Sequence, residues 1–166
     1  MSTAPRVRTA VADDVPQIAR LHVETWRETY RGLMSDQILD DPGFISRREH
    51  FWAAAITDPL YARNRIAVAE RAGDLVGIAM AGPPADADAP WTSQLYVLYT
   101  YASVYGLGAG AVLLDTVVAP ATAACLWVAD PNPRAQAFYR KQGFVPDGTV
   151  QVADGVREIR MVRTGR

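Results

Sequence analysis

Three glycines stand at alternate positions in the stretch VYGLGAGAVLLD, which runs from Val104 to Asp115. Gly106, Gly108 and Gly110 follow a segment rich in β-branched and aromatic residues and precede an apolar run typical of a helix. The first N–H groups of a helix have no intrahelical acceptor, and the helix dipole favours negative charge beside them. Glycine also lets a backbone approach phosphate oxygens closely, because it has no Cβ. The spacing therefore predicts an anion site, although a tight turn with close helix packing explains the loop alone equally well.

Two common phosphate-binding motifs do not fit this loop. No Lys-Ser/Thr pair follows the glycines, which excludes a Walker loop. The order of the predicted strands and helices, and the lack of an acidic residue at the end of the next strand, exclude a dinucleotide-binding fingerprint.

A second stretch, LWVADPNPRAQAFYRKQGF, carries the most specific pattern in the chain. Together with YGLGAGAVLL it resembles the GCN5-related N-acetyltransferase (GNAT) family. In that family a Gln/Arg-x-x-Gly-x-Gly/Ala loop binds the pyrophosphate of acetyl-CoA, and a helix with the pattern Asn-x-x-Ala-x-x-Phe-Tyr-x-x-x-Gly-Phe follows downstream. The matching residues of this chain are Asn132, Ala135, Phe138, Tyr139, Gly143 and Phe144.

The resemblance covers almost the whole chain and is weakest at residues 31–64 and 83–93. The N-terminal LHVETWRETYRGL is also similar to the first helix of some members. The resemblance implies a single acetyltransferase domain over residues 1–166, with an α/β fold. Its central sheet would be mixed and mostly antiparallel, flanked by about four helices.

The reaction implied by the resemblance is direct transfer of an acetyl group from acetyl-CoA to an amine. Tyr139 matches the general acid that protonates the leaving thiolate; the alternative is a core aromatic beside Phe138. Asn132 matches a position that contacts the pantetheine arm or its bound water, a role that can coexist with capping a helix.

Main-chain groups form the rest of the implied cofactor site. The pyrophosphate is expected to face the backbone N–H groups of Gly106, Leu107, Gly108, Ala109, Gly110 and Ala111. An ungapped register with the family pattern places the pantetheine arm beside Leu98, Tyr99 and Thr100. A rival register uses residues 95–97 and needs a short insertion, so we prefer the ungapped one.

The sequence departs from the family pattern in the loop. Tyr105 stands at the usual Gln or Arg position, and Leu107 stands at a common basic position. We therefore expect either weak cofactor binding or a compensating positive charge from Arg134, Arg140 or Lys141.

The sequence also departs from the family pattern at the general base. Gln94 and Trp127 occupy two positions where related members carry Glu. A base could instead come from the first helix, through water, or be dispensable for an amine of low pKa. The helix candidates are Glu24, Glu28 and His22, although a partly buried structural histidine is the stronger interpretation of His22.

The acceptor pocket of the fold is implied to lie between the first two helices and a strand-end loop. Its candidate aromatic walls are Trp26, Tyr30, Trp52, Trp91 and Tyr96, most of which we expect to be core. Trp26, Tyr30 and Gln94 are the predicted substrate-binding residues. Aromatic side chains that remain exposed would indicate a flat or apolar small acceptor.

Periodicity and chain breakers predict the elements that must position these residues. Strands are predicted at residues 6–10, 65–70, 75–82, 93–101 and 124–129, followed by a strand pair around Asp154 and Gly155. Helices are predicted after a cap at Asp13 or Asp14, at residues 44–57 and 108–118, and after Asn132. The proline-rich residues 83–90 are predicted to form a surface loop.

Composition narrows the classes of function further. The chain has 166 residues and a formal net charge of −1, which gives no electrostatic case for nucleic acid or an anionic membrane. Cys125 is the only cysteine, so no intrachain disulfide is possible, and its apolar neighbours predict a buried structural thiol. His50 has no acidic or cysteine partner at metal spacing, so we expect no metal. No apolar run is long enough to span a membrane and MSTAPRVRTA lacks the apolar core of a signal peptide, which favours a cytoplasmic protein.

Three functions follow in order of preference. The first is acetyl-CoA-dependent N-acetyl transfer to a primary amine of a small molecule or peptide. The second is a module that holds acyl-CoA with little or no transfer, favoured by Gln94, Trp127 and the uncharged loop. The third is a structural domain without a cofactor. A homodimer through the late strands is common in the family.

Overall fold

Seven strands form one continuous sheet in the computed structural model, which describes residues 4–165. In chain order they are β1 (Arg6–Thr9), β2 (Arg65–Arg71), β3 (Asp74–Gly82), β4 (Ser93–Thr100), β5 (Ala124–Ala129), β6 (Val145–Ala153) and β7 (Val156–Arg163). The spatial order is β1-β2-β3-β4-β5-β7-β6, and only the β4–β5 pair is parallel. The predicted mixed, mostly antiparallel sheet is confirmed. Residues 1–3 of the N-terminal stretch lie outside the described residues.

Five helices accompany the sheet within residues 4–165. They are α1 (Val15–Tyr30), α2 (Asp36–Leu39), α3 (Phe44–Thr57), α4 (Ala109–Val117) and α5 (Pro133–Lys141). The bounds of α3 are those predicted, whereas α2 is one turn long and therefore too short for a periodic pattern to reveal. No helix in the described range is both long and apolar enough to cross a membrane.

The two faces of the sheet carry different layers, because side chains alternate along each strand. On one face, Ile18, Leu21 and Trp52 of α1 and α3 pack on larger strand residues such as Ile78 and Val97. On the other face the strands present small side chains, namely Ala67, Ala69, Ala79 and Ala81. These small residues let α4 lie close to the sheet, and Tyr139 of α5 joins the same core.

The start of α1 is held by an ion pair rather than by the predicted cap. Asp14 occupies the cap position, but its carboxylate makes no capping bond to α1. Both carboxylate oxygens accept from the Arg8 guanidinium at 2.8 Å, and one also accepts from the backbone N–H of Val11. Arg8 donates to Glu70 of β2 as well, at 2.7 Å. The aspartate therefore ties the helix to the sheet, and the prediction that it caps α1 was wrong.

The substitution Asp14→Asn is expected to lower the free energy of unfolding at neutral pH by about 1.5–3 kcal/mol, the usual range for hydrogen bonds to charged groups. The Arg8 guanidinium holds the pKa of the Asp14 carboxyl below its ordinary value of 3.8. The stabilisation is therefore complete above that value and is lost as the pH falls through the lowered pKa. Urea unfolding at several pH values measures this. The exposed neighbour Asp13→Asn is the control, and equal stability of the two variants at neutral pH would contradict the assignment.

Candidate active site

The parallel strands β4 and β5 separate after three residue pairs, and the cleft lies where they part. Pairing runs from Ser93 opposite Ala124 to Leu95 opposite Leu126 and then stops. β4 nevertheless continues to Thr100 alongside β3, and β5 continues to Ala129 alongside β7. Beyond Leu95, the edge of β4 that faces β5 has no neighbouring strand among residues 4–165.

A β-bulge marks the point of separation. Ala81 pairs with Leu95 and Met80 pairs with Val97, so Tyr96 is the extra residue on β4. A bulge bends its strand and increases the local twist. Leu98, Tyr99 and Thr100 therefore lie on the part of β4 that has turned away from β5.

The cleft has a volume of about 310 Å³, and its lining includes residues of α1, β4, α4, β5, α5 and β7. The predicted site residues that line it are Trp26, Tyr30, Gln94, Leu98, Tyr99, Thr100, Gly110, Asn132 and Tyr139. The remaining predicted loop residues lie beside this lining at the start of α4; they are Gly106, Leu107, Gly108, Ala109 and Ala111. The sheet thus brings β4 and the start of α4 next to α5, although β5 separates them along the chain.

The glycines before α4 have two different structural roles. Gly106 and Gly108 have φ values of +79° and +85°, which lie in the left-handed region that favours glycine, and a Cβ on either would meet open space. Gly110 has an ordinary helical conformation, but a Cβ there would lie 3.4 Å from the ring of Phe138. The first two glycines therefore shape the turn into the helix, and the third allows α5 to pack against α4.

The first turn of α4 provides main-chain donors at the cleft. The N–H groups of Ala109, Gly110 and Ala111 precede the first possible intrahelical bond, and the first backbone bond into the helix runs from Val112 to Gly108. Leu107 contributes less than predicted, because its N–H donates to the carbonyl of Val104 at 3.3 Å.

An arginine side chain stacks on the ring of Tyr105 beside this loop. The guanidinium carbon of Arg134 lies 3.5 Å above the centre of the Tyr105 ring, and both residues line the cleft. Arg134 belongs to the first turn of α5, so the stack joins the N-terminal ends of two helices. Arg140 and Lys141 are exposed in the last turn of α5.

The start of α5 is capped as predicted. The Oδ1 atom of Asn132 accepts from the N–H of Ala135 at 3.3 Å, which leaves Nδ2 as a further donor at the cleft. Tyr139 follows two turns later, is only 8% exposed, and packs against Phe138 and Phe144. It is therefore both a core residue and a cleft residue.

Burial keeps the phenols around the cleft protonated. Desolvation raises the pKa of Tyr139, and the charge of a Tyr99 phenolate would raise it further. Burial also raises the pKa of Tyr99, to about 12, with a smaller contribution from the carboxylate of Glu158. The pKa of Tyr30 rises for the same reasons. Three hydrogen-bond donors therefore line the cleft at physiological pH.

The base candidates on α1 lie outside this lining. Glu24 accepts from the Tyr101 hydroxyl at 2.5 Å, and Glu28 accepts from the N–H of Ala102 at 3.0 Å. The two carboxylates therefore hold α1 against the turn that leads into the glycine loop. His22 is buried, accepts from the Trp52 indole at 3.0 Å and packs against Tyr99. Burial, assisted by the charge of Arg48, lowers its pKa to about 3, so it is a neutral structural residue.

The side chain of Gln94 is hydrogen-bonded to the loop at residues 83–90. It is buried, and its side-chain oxygen accepts from the N–H of Ala85 at 3.0 Å. Arg160 of β7 fastens the same loop by bonds of 3.1 Å to Asp86 and 3.3 Å to Asp88, and also pairs with Asp147. Residues 83–90 are thus a loop, as predicted, and they are bonded to the face of the sheet beside the cleft.

The aromatic wall candidates divide between cleft and core. Trp26, Tyr30 and Tyr96 line the cleft, as does Trp127. Trp52 is fully buried in the core, and Trp91 lies beneath the Arg160 guanidinium, 4.7 Å from it. Trp26 and Tyr30 also pack against the buried cluster that contains Leu39 and Ala129, so these two residues belong to both the cleft and the core.

Glu158 of β7 is a cleft residue that the sequence did not indicate. The apolar alternation of VREIRMVR assigns its charged residues to a solvated strand face, and only the position of β7 beside β5 brings Glu158 to the cleft. One further expectation concerns a residue away from the cleft. Cys125 is buried, and desolvation raises its pKa to about 12, consistent with a structural thiol. Within residues 4–165, no group of three His, Cys, Asp or Glu side chains could hold a metal ion.

Comparisons with known proteins agree with this architecture. Residues 15–144 match the sequence profile of the acetyltransferase (GNAT) family. A probable N-acetyltransferase of Mycobacterium tuberculosis is 29% identical over 147 residues, which are 86% of this chain and 81% of the relative. A crystal structure from Corynebacterium glutamicum, of a histone acetyltransferase HPA2 and related acetyltransferase, is 25% identical with a TM-score of 0.74 and covers 99% of this chain and 98% of its own.

A second solved structure shares the fold. The PaiA N-acetyltransferase of Thermoplasma acidophilum, solved in complex with coenzyme A, is 18% identical with a TM-score of 0.73 over 98% of this chain and 99% of its own. The family profile covers most of the chain, including the glycine loop and the helix that carries Tyr139. The chain belongs to the acetyltransferase (GNAT) family and is an N-acetyltransferase that uses acetyl-CoA.

Proposed function

We propose that the cleft transfers an acetyl group from acetyl-CoA directly to a primary amine of a small molecule or peptide in the cytoplasm. The observation that carries the proposal is the meeting of three features at one opening in the sheet. They are the free edge of β4, the first turn of α4 and the buried phenol of Tyr139. The strand edge suits an extended amide ligand, the helix turn suits an anion, and the phenol suits a leaving group that needs a proton.

The residues present fit acetyl-CoA, which supplies the acetyl group as a thioester. Main-chain groups of Leu98, Tyr99 and Thr100 are available to the pantetheine amides, because β4 has left β5 before these residues. Tyr96 and Val97 of the rival register lie on the same free edge, so the ungapped register rests on the family pattern. The N–H groups of α4 and the left-handed turn at Gly106 and Gly108 suit the pyrophosphate, since nothing lies within 4 Å of the Cβ that each glycine lacks.

Arg134 supplies the charge that the loop itself lacks. An arginine guanidinium binds phosphate oxygens through several N–H donors, and stacking on an aromatic ring limits the orientations available to it. Tyr105 thus acts as a platform for Arg134, in place of a polar or basic side chain of the loop.

Tyr139 acts as the general acid toward the sulfur of the leaving thiolate. Its raised pKa keeps the hydroxyl proton in place throughout the working pH range, so the phenol can donate as negative charge develops. Asn132 positions the helix that carries Tyr139 and offers its amide N–H groups to the pantetheine arm.

The second candidate function is an acyl-CoA-binding module with little or no transfer. Two observations favour it: the Gln94 side chain is hydrogen-bonded to Ala85, and position 127 carries an indole. Neither side chain can accept a proton from an amine. Tight binding of CoA without thiol release, when amines of several classes are added, would support the module and contradict the enzyme.

Any homodimer is expected to use the outer edge of the sheet. β6 is the last strand, and it exposes Val145, Val150 and Val152 by 58%, 45% and 71%. An unpaired edge with apolar side chains favours strand pairing with a second copy.

The substitution Tyr139→Phe is expected to lower kcat about 100-fold or more while leaving the affinity for acetyl-CoA nearly unchanged, because the variant loses only the acidic hydroxyl. Thiol release with a good amine acceptor measures turnover, and calorimetry measures binding. The exposed Tyr61→Phe serves as the control. Unchanged turnover of the Tyr139 variant would remove the acid role.

The substitution Arg134→Ala is expected to raise the KM for acetyl-CoA about tenfold and to leave kcat within a factor of about three. One charge-assisted contact of about 1.4 kcal/mol corresponds to that change in KM. Removing the platform by Tyr105→Ala should weaken binding in the same direction. Arg140→Ala, which removes an exposed charge from the other end of α5, is the matched control. An equal effect of Arg140→Ala would show that general surface charge, rather than the stacked guanidinium, accounts for the loss.

A further inference from the structure

Glu158 stands alone as a half-buried carboxylate in the cleft. Among residues 4–165 only two carboxylate side chains line it, and the other, Asp154, is exposed in the turn between β6 and β7. Glu158 is paired across the sheet with Ala129 of β5 and Gln151 of β6. The Gln151 side chain donates to its Oε1 atom at 2.9 Å. This neutral donor orients the carboxylate without cancelling its charge, and Oε2 remains available.

No cation of the described chain neutralises Glu158. Within residues 4–165 no Lys, Arg or His nitrogen forms an ion pair with it. The nearest positive charge along its own strand face is Arg160, two residues later, which already pairs with Asp86, Asp88 and Asp147. The face of the sheet around Glu158 therefore carries an excess of negative charge.

Glu158 also lies on the side of the sheet opposite to the helices that hold the anion site. Ile159 and Met161 pack in the core beneath α4 and α5, so alternation places Glu158 on the other face. Arg160 shares that face, and its guanidinium lies 5.8 Å from the ring of Trp127. A ligand reaching Glu158 thus enters the cleft from the side away from the glycine loop, where an acceptor would meet the thioester.

Aromatic rings form the walls at this entrance. Trp26 and Tyr30 of α1 pack edge to face, with ring centres 5.3 Å apart. Trp127 of β5 and the 37% exposed Tyr96 of β4 complete the lining. Rings of this kind favour flat apolar groups and also attract a cation to their faces.

We propose that Glu158 binds the ammonium group of the acceptor and takes its proton, and that the acceptor is a primary amine carried by a flat apolar group. The inference rests on the acetyl transfer proposed above. One proton passes from the ammonium nitrogen to a carboxylate oxygen of Glu158, which frees the nitrogen lone pair. That lone pair forms the amide C–N bond as the thioester C–S bond breaks, and the sulfur takes the proton of Tyr139. The new amide nitrogen then loses its second proton to the Tyr139 phenolate, which restores the phenol.

The groups that surround Glu158 do not compete for this role. Tyr30 of α1 and Tyr99 of β4 stay protonated, because burial raises the pKa of both phenols. Gln151 of β6 does not titrate, and Arg160 keeps its charge at any pH of the assay. Asp154 is the other carboxylate of the lining and provides the control.

Binding provides the first test and does not require turnover. Calorimetry on the CoA-bound protein compares 2-phenylethylamine, a cation at neutral pH, with the neutral 3-phenylpropanol. The wild-type protein is expected to prefer the cation about tenfold, and Glu158→Gln is expected to remove the preference while Asp154→Asn retains it. The inference is overturned by an equal preference in wild type and Glu158→Gln, or by no preference in wild type.

Kinetics provides the second test and separates the inference from the function on which it rests. With 2-phenylethylamine, Glu158→Gln is expected to lower kcat/KM at neutral pH about 100-fold. The remaining rate of the variant should rise with pH, because only the neutral fraction of the amine then reacts. With aniline, which is already neutral, the loss should stay below about threefold. A normal melting temperature and normal CoA affinity exclude misfolding of the variant. Transfer that proceeds equally in both proteins would overturn the role of Glu158 alone, whereas absence of transfer by wild type to any amine would overturn the proposed function.

Discussion

The separation of β4 from β5 is the constraint on which the active site depends. Each strand is bound on its outer side for most of its length, β4 to β3 and β5 to β7. They pair with each other over only three residues, and the bulge at Tyr96 then turns β4 away. A fully paired sheet would have consumed the main-chain groups of Leu98 to Thr100 and closed the passage between the faces. The opening therefore creates both a peptide-like edge for a ligand and a channel through the sheet.

The two sides of this opening differ in charge. On the side of α4 and α5, helix N-termini and the stacked guanidinium of Arg134 favour an anion. On the opposite side, Glu158 and the carboxylates around Arg160 favour a cation. An anionic donor and a cationic acceptor would thus be drawn to opposite faces and meet between the strands. This arrangement is possible because β4 and β5 part in the middle of the sheet rather than at its edge.

Several polar residues that could serve catalysis hold the architecture instead. Glu24 and Glu28 fix the turn before the glycine loop, and Gln94 fixes the loop that follows β3. His22 is neutral and is bonded to Trp52. Because these side chains are already hydrogen-bonded elsewhere, the buried phenols remain as donors in the cleft, and Glu158 remains as its carboxylate with a free oxygen. The division follows from burial, because a polar group that is removed from water must find a partner.

The sequence by itself determined the local elements and the motifs that they carry. Strand alternation, the apolar run of α4 and the cap at Asn132 depend on contacts within a few residues, and the bounds of α3 and β5 followed from them. The pattern that contains Tyr139 likewise indicated the family.

The tertiary structure alone decided that β7, rather than β6, lies beside β5, and so brought Glu158 to the cleft. It also placed Arg134 on Tyr105 and paired Asp14 with Arg8, where a helix cap had been predicted. These contacts join residues far apart along the chain or choose between equally good local partners, and such choices are set by the packing of whole elements.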